Sequence, residues 1–159
     1  MIDVCLLGTG GTMPMPERAL TSLIVRYKGK NILIDCGEGT QVMIRKSGFS
    51  LKKIDIILIT HFHADHTAGL PGLLLSIGKS ERSEPVKIIG GKGIPNIVRS
   101  LCIIAPEIPF EIEYIEIENP WEKFVFGELR IETLLLNHSM TCYGYSINLD
   151  RQGKFQPHI

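Results

Sequence analysis

The sequence carries no surplus of either charge, because 17 Lys and Arg side chains are matched by 17 Asp and Glu side chains. Its overall charge therefore gives no sign of nucleic-acid binding, although a local basic patch can be hidden within such a balance. No segment reaches the roughly 18 apolar residues of a membrane span, and the amino terminus lacks a basic leader with a long apolar core. These absences predict a soluble cytoplasmic protein with no membrane partner.

The sequence also lacks any pair of cysteines spaced as CxxC. Its four cysteines are widely separated, and each lies in an apolar or Gly-rich context: Cys5, Cys36, Cys102 and Cys142. This pattern is typical of free thiols in a reducing compartment. Cys36 follows Asp35, but no cationic neighbour in sequence would activate its thiol, so we expect a structural packing role for it.

Apolar residues make up 44% of the 159 residues, which is enough for one domain with its own core, spanning 1–159. Short apolar or alternating runs predict strands, and longer segments with helix start and stop signals predict helices. Strands are expected at 2–7, 23–27, 31–35, 54–59, 86–89, 111–117, 124–126, 129–136 and 143–149, and helices at 40–46, 70–77 and 94–104. Because strands and helices alternate along the chain, the predicted class is α/β.

Four potential metal ligands follow the apolar strand at 54–59 within six residues: His61, His63, Asp65 and His66. In an extended segment alternate side chains point the same way, so His61 and His63 can converge on one ion while the other two turn toward a second. Imidazole and carboxylate together suit zinc, with manganese or iron as alternatives. A solvated loop is the simpler interpretation of any single histidine, but three of the five histidines in the chain occur here.

A two-histidine site needs at least one further protein ligand, and His138 follows the strand at 129–136 in the same strand-to-loop setting as His61. This context predicts that His138 is the third ligand of the first metal, although an isolated histidine more often has a structural role. His158, in contrast, lies beside Ile159. We expect it to belong to a frayed tail.

Taken together, these residues resemble the metallo-β-lactamase superfamily, and within it the ribonuclease Z branch, the tRNA 3′-processing endonucleases. The resemblance extends beyond the histidine motif to four further blocks. Similar to that branch are Gly8-Thr9-Gly10-Gly11 with the Pro16-Glu17-Arg18 that follows, Leu33–Gln41, Gly69–Leu74, and Asn137-His138-Ser139 leading into Tyr143–Ile147. These blocks span nearly the whole sequence.

The resemblance implies an αββα sandwich, of which this sequence would supply the amino-terminal half plus the third-histidine block. The implied ligands are His61, His63 and His138 for a first zinc, and Asp65 and His66 for a second, with a bridging aspartate and a last histidine from a carboxyl-terminal half. Asp65 would also be the catalytic proton shuttle, and Asp35 would buttress the metal loop. The implied activity is endonucleolytic removal of 3′ trailers from precursor tRNA, by a homodimer.

The sequence departs from the branch after His138, where the only aspartate is Asp150 and the only histidine is His158. Neither lies in a sequence block like those that supply the bridging aspartate and last histidine in the family. We therefore expect an incomplete second metal site and an impaired activity. Two alternatives remain open. The chain is either a metal-dependent hydrolase of another substrate, such as a thioester, a lactone or a small phosphodiester, or a non-catalytic metal-binding fragment.

Overall fold

The computed structural model describes residues 1–149, which form two β-sheets with a layer of helices on the larger one. The strands are β1 (Ile2–Gly8), β2 (Ser22–Tyr27), β3 (Lys30–Ile34), β4 (Ile54–Leu58), β5 (Val86–Gly91), β6 (Ile112–Ile117), β7 (Lys123–Phe126), β8 (Leu129–Leu136) and β9 (Cys142–Leu149). The helices are α1 (Thr40–Lys46), α2 (Ala64–Thr67), α3 (Leu70–Lys79) and α4 (Ile94–Leu101), with 3-10 turns at Leu51–Lys53 and Cys102–Ile104. The predicted α/β class is confirmed. Asp150 and His158 lie outside the described residues.

Six strands form the larger sheet in the order β1 to β6. The first three are antiparallel, and β2 turns into β3 through Lys28 and Gly29, whose φ angles of 47° and 80° suit a tight hairpin of the I′ type. From β3 to β6 the strands are parallel, so their carboxyl ends meet at one edge of the sheet. Strands β7, β8 and β9 form a separate antiparallel sheet.

Strand β4 is buried on both faces, which explains its nearly continuous apolar sequence. Ile57 belongs to the apolar cluster on the helix side of the sheet, together with Leu73 of α3. Ile56 and Leu58 belong to the cluster on the opposite side, where Ile131 of β8 also packs. The larger sheet therefore lies between a helix layer and the smaller sheet.

Two helices end at positions that differ from those expected. Helix α3 continues to Lys79, and the Ser80 hydroxyl then donates to the carbonyl groups of Ser76 and Ile77, which satisfies part of the helix end. Helix α4 ends at Leu101, and the rest of the predicted segment forms the 3-10 turn, in which the Ala105 N–H donates to the Cys102 carbonyl at 2.9 Å. Ala105 itself is not helical, as is usual for the residue before a proline. No helix in the described part of the chain is both long and apolar enough to cross a bilayer.

Arg82 is a buried arginine that joins the beginnings of two neighbouring strands. Its guanidinium donates to the carbonyl oxygens of Lys52 at 2.8 Å and Pro85 at 2.6 Å, and it lies 3.0 Å from a carboxylate oxygen of Asp55. A third carbonyl, that of Glu84, accepts at 2.8 Å. The planar donor fork of arginine suits several acceptors at once, so these contacts hold the entry to β4 beside the entry to β5.

Replacing Arg82 with methionine should lower the free energy of unfolding by about 3 kcal/mol, because the change leaves Asp55 and three carbonyl groups without their buried donor. Urea unfolding followed by circular dichroism measures this effect. Arg45→Met, at an exposed position in α1, is the matched control and should change stability by less than about 0.5 kcal/mol. A similar small change for both variants would contradict the assigned role of Arg82.

Candidate metal centre

The loop from Thr60 to Gly69 leaves β4 at the edge where the parallel strands end, and it carries the histidine motif. His138 comes from the other sheet, in the connection between β8 and β9. Two hydrogen bonds join the loop to β9: the Tyr143 N–H donates to the Thr60 carbonyl at 2.9 Å, and the Tyr145 hydroxyl donates to the Ile59 carbonyl at 2.7 Å. The two sheets therefore meet at this site.

Three histidines converge here. The Nε2 atom of His61 lies 3.0 Å from Nδ1 of His63, and Nε2 of His138 lies 3.4 Å from the same Nδ1. One potential ligand atom from each ring lies within 4.8 Å of the others. Two imidazole nitrogens bound to one tetrahedral zinc at its usual bond length are about 3.3 Å apart. The donor set and its spacing thus fit a single divalent metal ion.

Asp65 and His66 form a second pair beside this cluster. Both lie in the single turn of α2, where His66 Nε2 is 3.6 Å from Asp65 Oδ2. The ring of His66 is centred 4.1 Å from that of His61. The structure therefore brings all five residues that the sequence singled out to one edge of the sheet, as a group of three histidines with an adjacent carboxylate and histidine.

The carboxylate of Asp35 holds the loop from Thr60 to Gly69 in place through hydrogen bonds to two of its residues. It accepts a hydrogen bond from the Thr60 N–H at 2.8 Å, from the Thr60 hydroxyl at 2.9 Å, and from Nδ1 of His66 at 2.7 Å. Asp35 is buried, and its φ of 58° lies in the left-handed region that aspartate tolerates better than most residues. This turn after β3 directs the carboxylate toward the end of β4.

Thr60 extends the influence of Asp35 to the three-histidine cluster. Its hydroxyl oxygen lies 2.9 Å from Nδ1 of His61. If the hydroxyl donates to Asp35, its oxygen accepts from the protonated Nδ1 of His61, which leaves Nε2 of that ring free to bind a metal. Sequence reasoning did not single out Thr60. Its position between a buried strand and the first histidine was the available signal.

Burial and neighbouring charges shift the pKa values of His61 and His66 in opposite directions. Burial, followed by the nearby His66, His138 and His63, lowers the pKa of His61 to about 4. Its imidazole is therefore neutral at neutral pH, the form that binds metals. Burial also lowers the pKa of His66, but the hydrogen bond to Asp35 and the carboxylates of Asp35 and Asp65 outweigh it, so that pKa is raised overall.

All four cysteines are free thiols. Cys36 is fully buried, and burial raises the pKa of its thiol far above the usual range, which agrees with the packing role expected for it. Cys142 lies with its sulfur 3.7 Å from Nδ1 of His61, and burial raises the pKa of this thiol too. Both thiols are therefore protonated at neutral pH and are not activated nucleophiles.

A cleft of about 540 Å³ opens directly beside the cluster. His61 and Phe62 line it, together with residues at the carboxyl ends of β5 and β6 and around the start of β9: Gly91, Lys92, Glu116, Ile117, Glu118, Met140, Thr141 and Tyr143. The cleft therefore gives a small molecule or a segment of a larger one access to His61.

Comparison with known proteins agrees with this geometry. The family model described as Anti-Pycsar protein Apyc1 matches residues 2–100. A ribonuclease Z of Lachnoclostridium phytofermentans is 52% identical over 159 residues, covering 100% of this chain and 52% of that protein. A ribonuclease Z of Agathobacter rectalis is 54% identical over 155 residues, covering 98% and 51%. The chain thus spans about half the length of the curated relatives it matches, and the resemblance to the ribonuclease Z branch is confirmed.

Solved structures show the same fold. The short form of human tRNase Z superimposes with a TM-score of 0.81 at 30% identity, covering 94% of this chain and 65% of that one. The metallo-β-lactamase fold protein YhfI of Bacillus subtilis superimposes with a TM-score of 0.75 at 20% identity, covering 92% and 57%. The expected metallo-β-lactamase-type architecture is therefore confirmed.

Replacing Thr60 with valine should weaken binding of a divalent metal, with zinc as the probe, by about 10- to 100-fold, because the variant keeps the shape of the side chain but removes the link between Asp35 and His61. A competition titration against a chromophoric chelator measures the affinity, and circular dichroism checks that the fold is retained. Thr9→Val, in an exposed loop, is the control and should bind zinc as the parent does. Unchanged affinity in a folded Thr60→Val chain would show that the hydroxyl does not orient His61.

Proposed function

This chain belongs to the family described as Anti-Pycsar protein Apyc1, and we propose that it contributes to a metal-dependent phosphodiesterase of the ribonuclease Z type, which removes 3′ trailers from precursor tRNA. The observation that carries this proposal is the convergence of His61, His63 and His138 beside the pair formed by Asp65 and His66. The names of the curated relatives support it. Because the chain spans about half of their length, the activity, the tRNA substrate and the cytoplasmic location of the whole protein all belong to the proposal.

The proposed ligands fall into two sets. His61, His63 and His138 hold the first metal, and Asp65 and His66 contribute to a second. Zinc suits this mixture of imidazole and carboxylate, with manganese or iron as alternatives. Residues 139–149 contain neither aspartate nor histidine, so among the described residues the second set has two members against three in the first. We expect the first site to bind its metal more tightly.

Bound metal ions would polarise the phosphodiester and lower the pKa of water enough for attack at neutral pH. The residues of the chain position and exchange protons around that chemistry. Asp65 is buried beside the cluster, where its carboxylate can take a proton from the attacking water and return it to the leaving oxygen. Asp35 and Thr60 hold His61 and His66 in place, so both loop histidines present Nε2 toward the site.

The experiment that tests the proposal measures metal content and cleavage together. The 159-residue chain should retain at most about one zinc, in the first site, with weak or absent cleavage of precursor tRNA, because the described residues offer the second metal only Asp65 and His66. Joining residues 1–149 to the remaining half of the Lachnoclostridium phytofermentans relative should raise the metal content to two and restore removal of the 3′ trailer. Elemental analysis and gel electrophoresis of labelled precursor tRNA provide the two measurements.

Asp65→Asn in this hybrid should lower the cleavage rate by about 100-fold or more, because it removes a metal ligand and the proton acceptor together. Asp3→Asn is the matched control, since Asp3 pairs with Arg26 on an exposed face of the larger sheet. The proposal would be wrong if the Asp65 variant cleaved at the parent rate. Two tightly bound metals and normal turnover in the 159-residue chain would refute its second part, the incomplete site.

A second candidate is hydrolysis of small phosphodiesters by the same site. The cleft beside His61 favours it, since about 540 Å³ is the size of a small-molecule site. Bis(p-nitrophenyl) phosphate discriminates between the two candidates. Efficient cleavage of this compound, with none of precursor tRNA by the hybrid, would favour the second candidate.

Self-association is part of the proposal as well. Strand β1 is an edge of the larger sheet and exposes Val4 and Leu6, while Val125 of β7 is 70% exposed at an edge of the smaller one. Exposed apolar edge strands favour pairing between chains. Sedimentation velocity at micromolar concentration should therefore detect dimers, which Val4→Lys should dissociate and the control substitution Val42→Lys, on exposed α1, should not. A strictly monomeric chain would contradict the expectation.

A further inference from the structure

A groove on the helix layer shares no residue with the histidine cluster or with its cleft. It lies between α1 and α3, beside the 3-10 turn at Leu51–Lys53, and has a volume of about 590 Å³. Its apolar lining consists of Val42, Phe49, Leu51 and Leu75. None of these four side chains is buried, and Val42 is 49% exposed. Apolar surface left open to solvent beside charged residues is typical of an interaction site.

A close contact between the two helices lies at one end of the groove. A Cβ atom on Gly72, in the first turn of α3, would lie 2.7 Å from Nε2 of Gln41, in the first turn of α1. The glycine therefore lets the Gln41 side chain reach across from one helix to the other. Arg45 and Lys79 line the groove from the last turns of α1 and α3, so the cations lie toward the carboxyl ends of both helices.

The groove carries charge of one sign. No aspartate or glutamate lines it, and the two segments that include its helices, residues 39–54 and 67–80, contain five Lys and Arg and no acidic residue. Arg45 and Lys79 are exposed and form no ion pair with another described residue. A cation in the last turn also complements the helix dipole, but that role does not require the apolar surface between them to stay open. Since the whole chain balances 17 charges of each sign, this local excess favours an acidic partner.

We propose that this groove binds an acidic amphipathic helix of a partner protein, with the apolar face of that helix on Val42, Phe49, Leu51 and Leu75 and its carboxylates beside Arg45 and Lys79. A groove between two helices accepts the ridge of a third, and an amphipathic helix binds by apolar side chains at positions i, i+3, i+4 and i+7. Acidic residues on its flanks then meet the two unpaired cations.

The apolar lining separates this partner from two other occupants. An RNA backbone would use the cations but has no apolar side chains to place on Phe49 and Leu75, so it would leave that surface unmatched. A second copy of the chain, related by two-fold symmetry, would bring the same cationic surface against itself. Juxtaposed like charges disfavour such a contact.

Fluorescence anisotropy of labelled peptides added to the 159-residue chain tests the proposal. The probe is a helical peptide of about four turns, with leucine at positions i, i+3, i+4 and i+7 on one face and glutamate on the other. It should bind at least about tenfold more tightly than the matched peptide with glutamine in place of glutamate, and added salt should reduce this advantage by screening the charges. In ¹H–¹⁵N NMR the acidic peptide should shift the amide signals of Val42, Arg45, Leu75 and Lys79.

Charge reversal distinguishes the groove from general attraction between opposite charges. Arg45→Glu and Lys79→Glu, both at exposed positions, should each weaken binding of the acidic peptide by about fivefold or more. Lys92→Glu changes the net charge by the same amount at an exposed position outside the groove and should leave the affinity nearly unchanged. The double variant Arg45→Glu, Lys79→Glu should bind a peptide with lysine in place of glutamate more tightly than the parent chain does. A misfolded protein would not show this gain.

The proposal is overturned if the glutamine peptide binds as tightly as the acidic one, or if Arg45→Glu and Lys79→Glu weaken binding no more than Lys92→Glu does. A short RNA duplex that binds at least as tightly as the peptide and shifts the same amide signals would overturn it in favour of a nucleic-acid surface. Dimers of the peptide-free chain whose stability in sedimentation velocity changes with Arg45→Glu would overturn it in favour of a second copy. None of these measurements needs bound metal or RNA cleavage, so their outcome is independent of the proposed function.

Discussion

One buried carboxylate, that of Asp35, fixes the positions of Thr60 and His66 in the histidine site. Asp35 can reach Thr60 and His66 because β3 and β4 are parallel neighbours, with Ile34 opposite Leu58 and the Asp35 N–H donating to the Leu58 carbonyl at 2.8 Å. From this position a single carboxylate accepts from backbone, hydroxyl and imidazole donors at once. Removing a buried acceptor with three donors would leave all of them unpaired, which costs far more than the loss of an exposed contact.

The contact between the two sheets places the third histidine, His138, beside His61 and His63. His138 lies in an exposed connection, so its place in the cluster depends on β9 rather than on burial of its own ring. The hydrogen bond from Tyr143 to Thr60 fixes the start of β9 against the metal loop, and the apolar layer beneath it, with Ile131 and Leu58, holds the sheets together. The cluster therefore depends on the packing of the two sheets, although two of its members, His61 and His63, are only two positions apart in sequence.

These dependencies explain what the sequence could and could not predict. Period and composition located the nine strands and three of the four helices of the described residues, and the histidine spacing located the loop, because these signals are local. The single turn α2 inside that loop was not predicted. The helix ends at Lys79 and Leu101 differed from those expected because they depend on how the last turn is hydrogen-bonded, through the Ser80 hydroxyl in one case and the 3-10 turn at Cys102–Ile104 in the other. The role of Thr60 was not predicted, since it requires knowing that β3 and β4 are neighbours. The resemblance supplied Asp35, which periodicity alone would have assigned to the end of a strand.

The glycines of the family blocks have a structural explanation in the same contact. A Cβ atom on Gly69 would lie 2.1 Å from the Gly37 carbonyl oxygen, and one on Gly37 would lie 2.6 Å from the Asp65 carbonyl oxygen. The two loops approach this closely because the Cys36 N–H donates to the His66 carbonyl at 2.8 Å and the Gly69 N–H donates to the Cys36 carbonyl at 2.9 Å. Any side chain at either position would force the loops apart and move Asp65 and His66 with them. Both glycines are thus needed to keep the second ligand pair beside the first cluster, although neither offers a group that could bind a metal or move a proton.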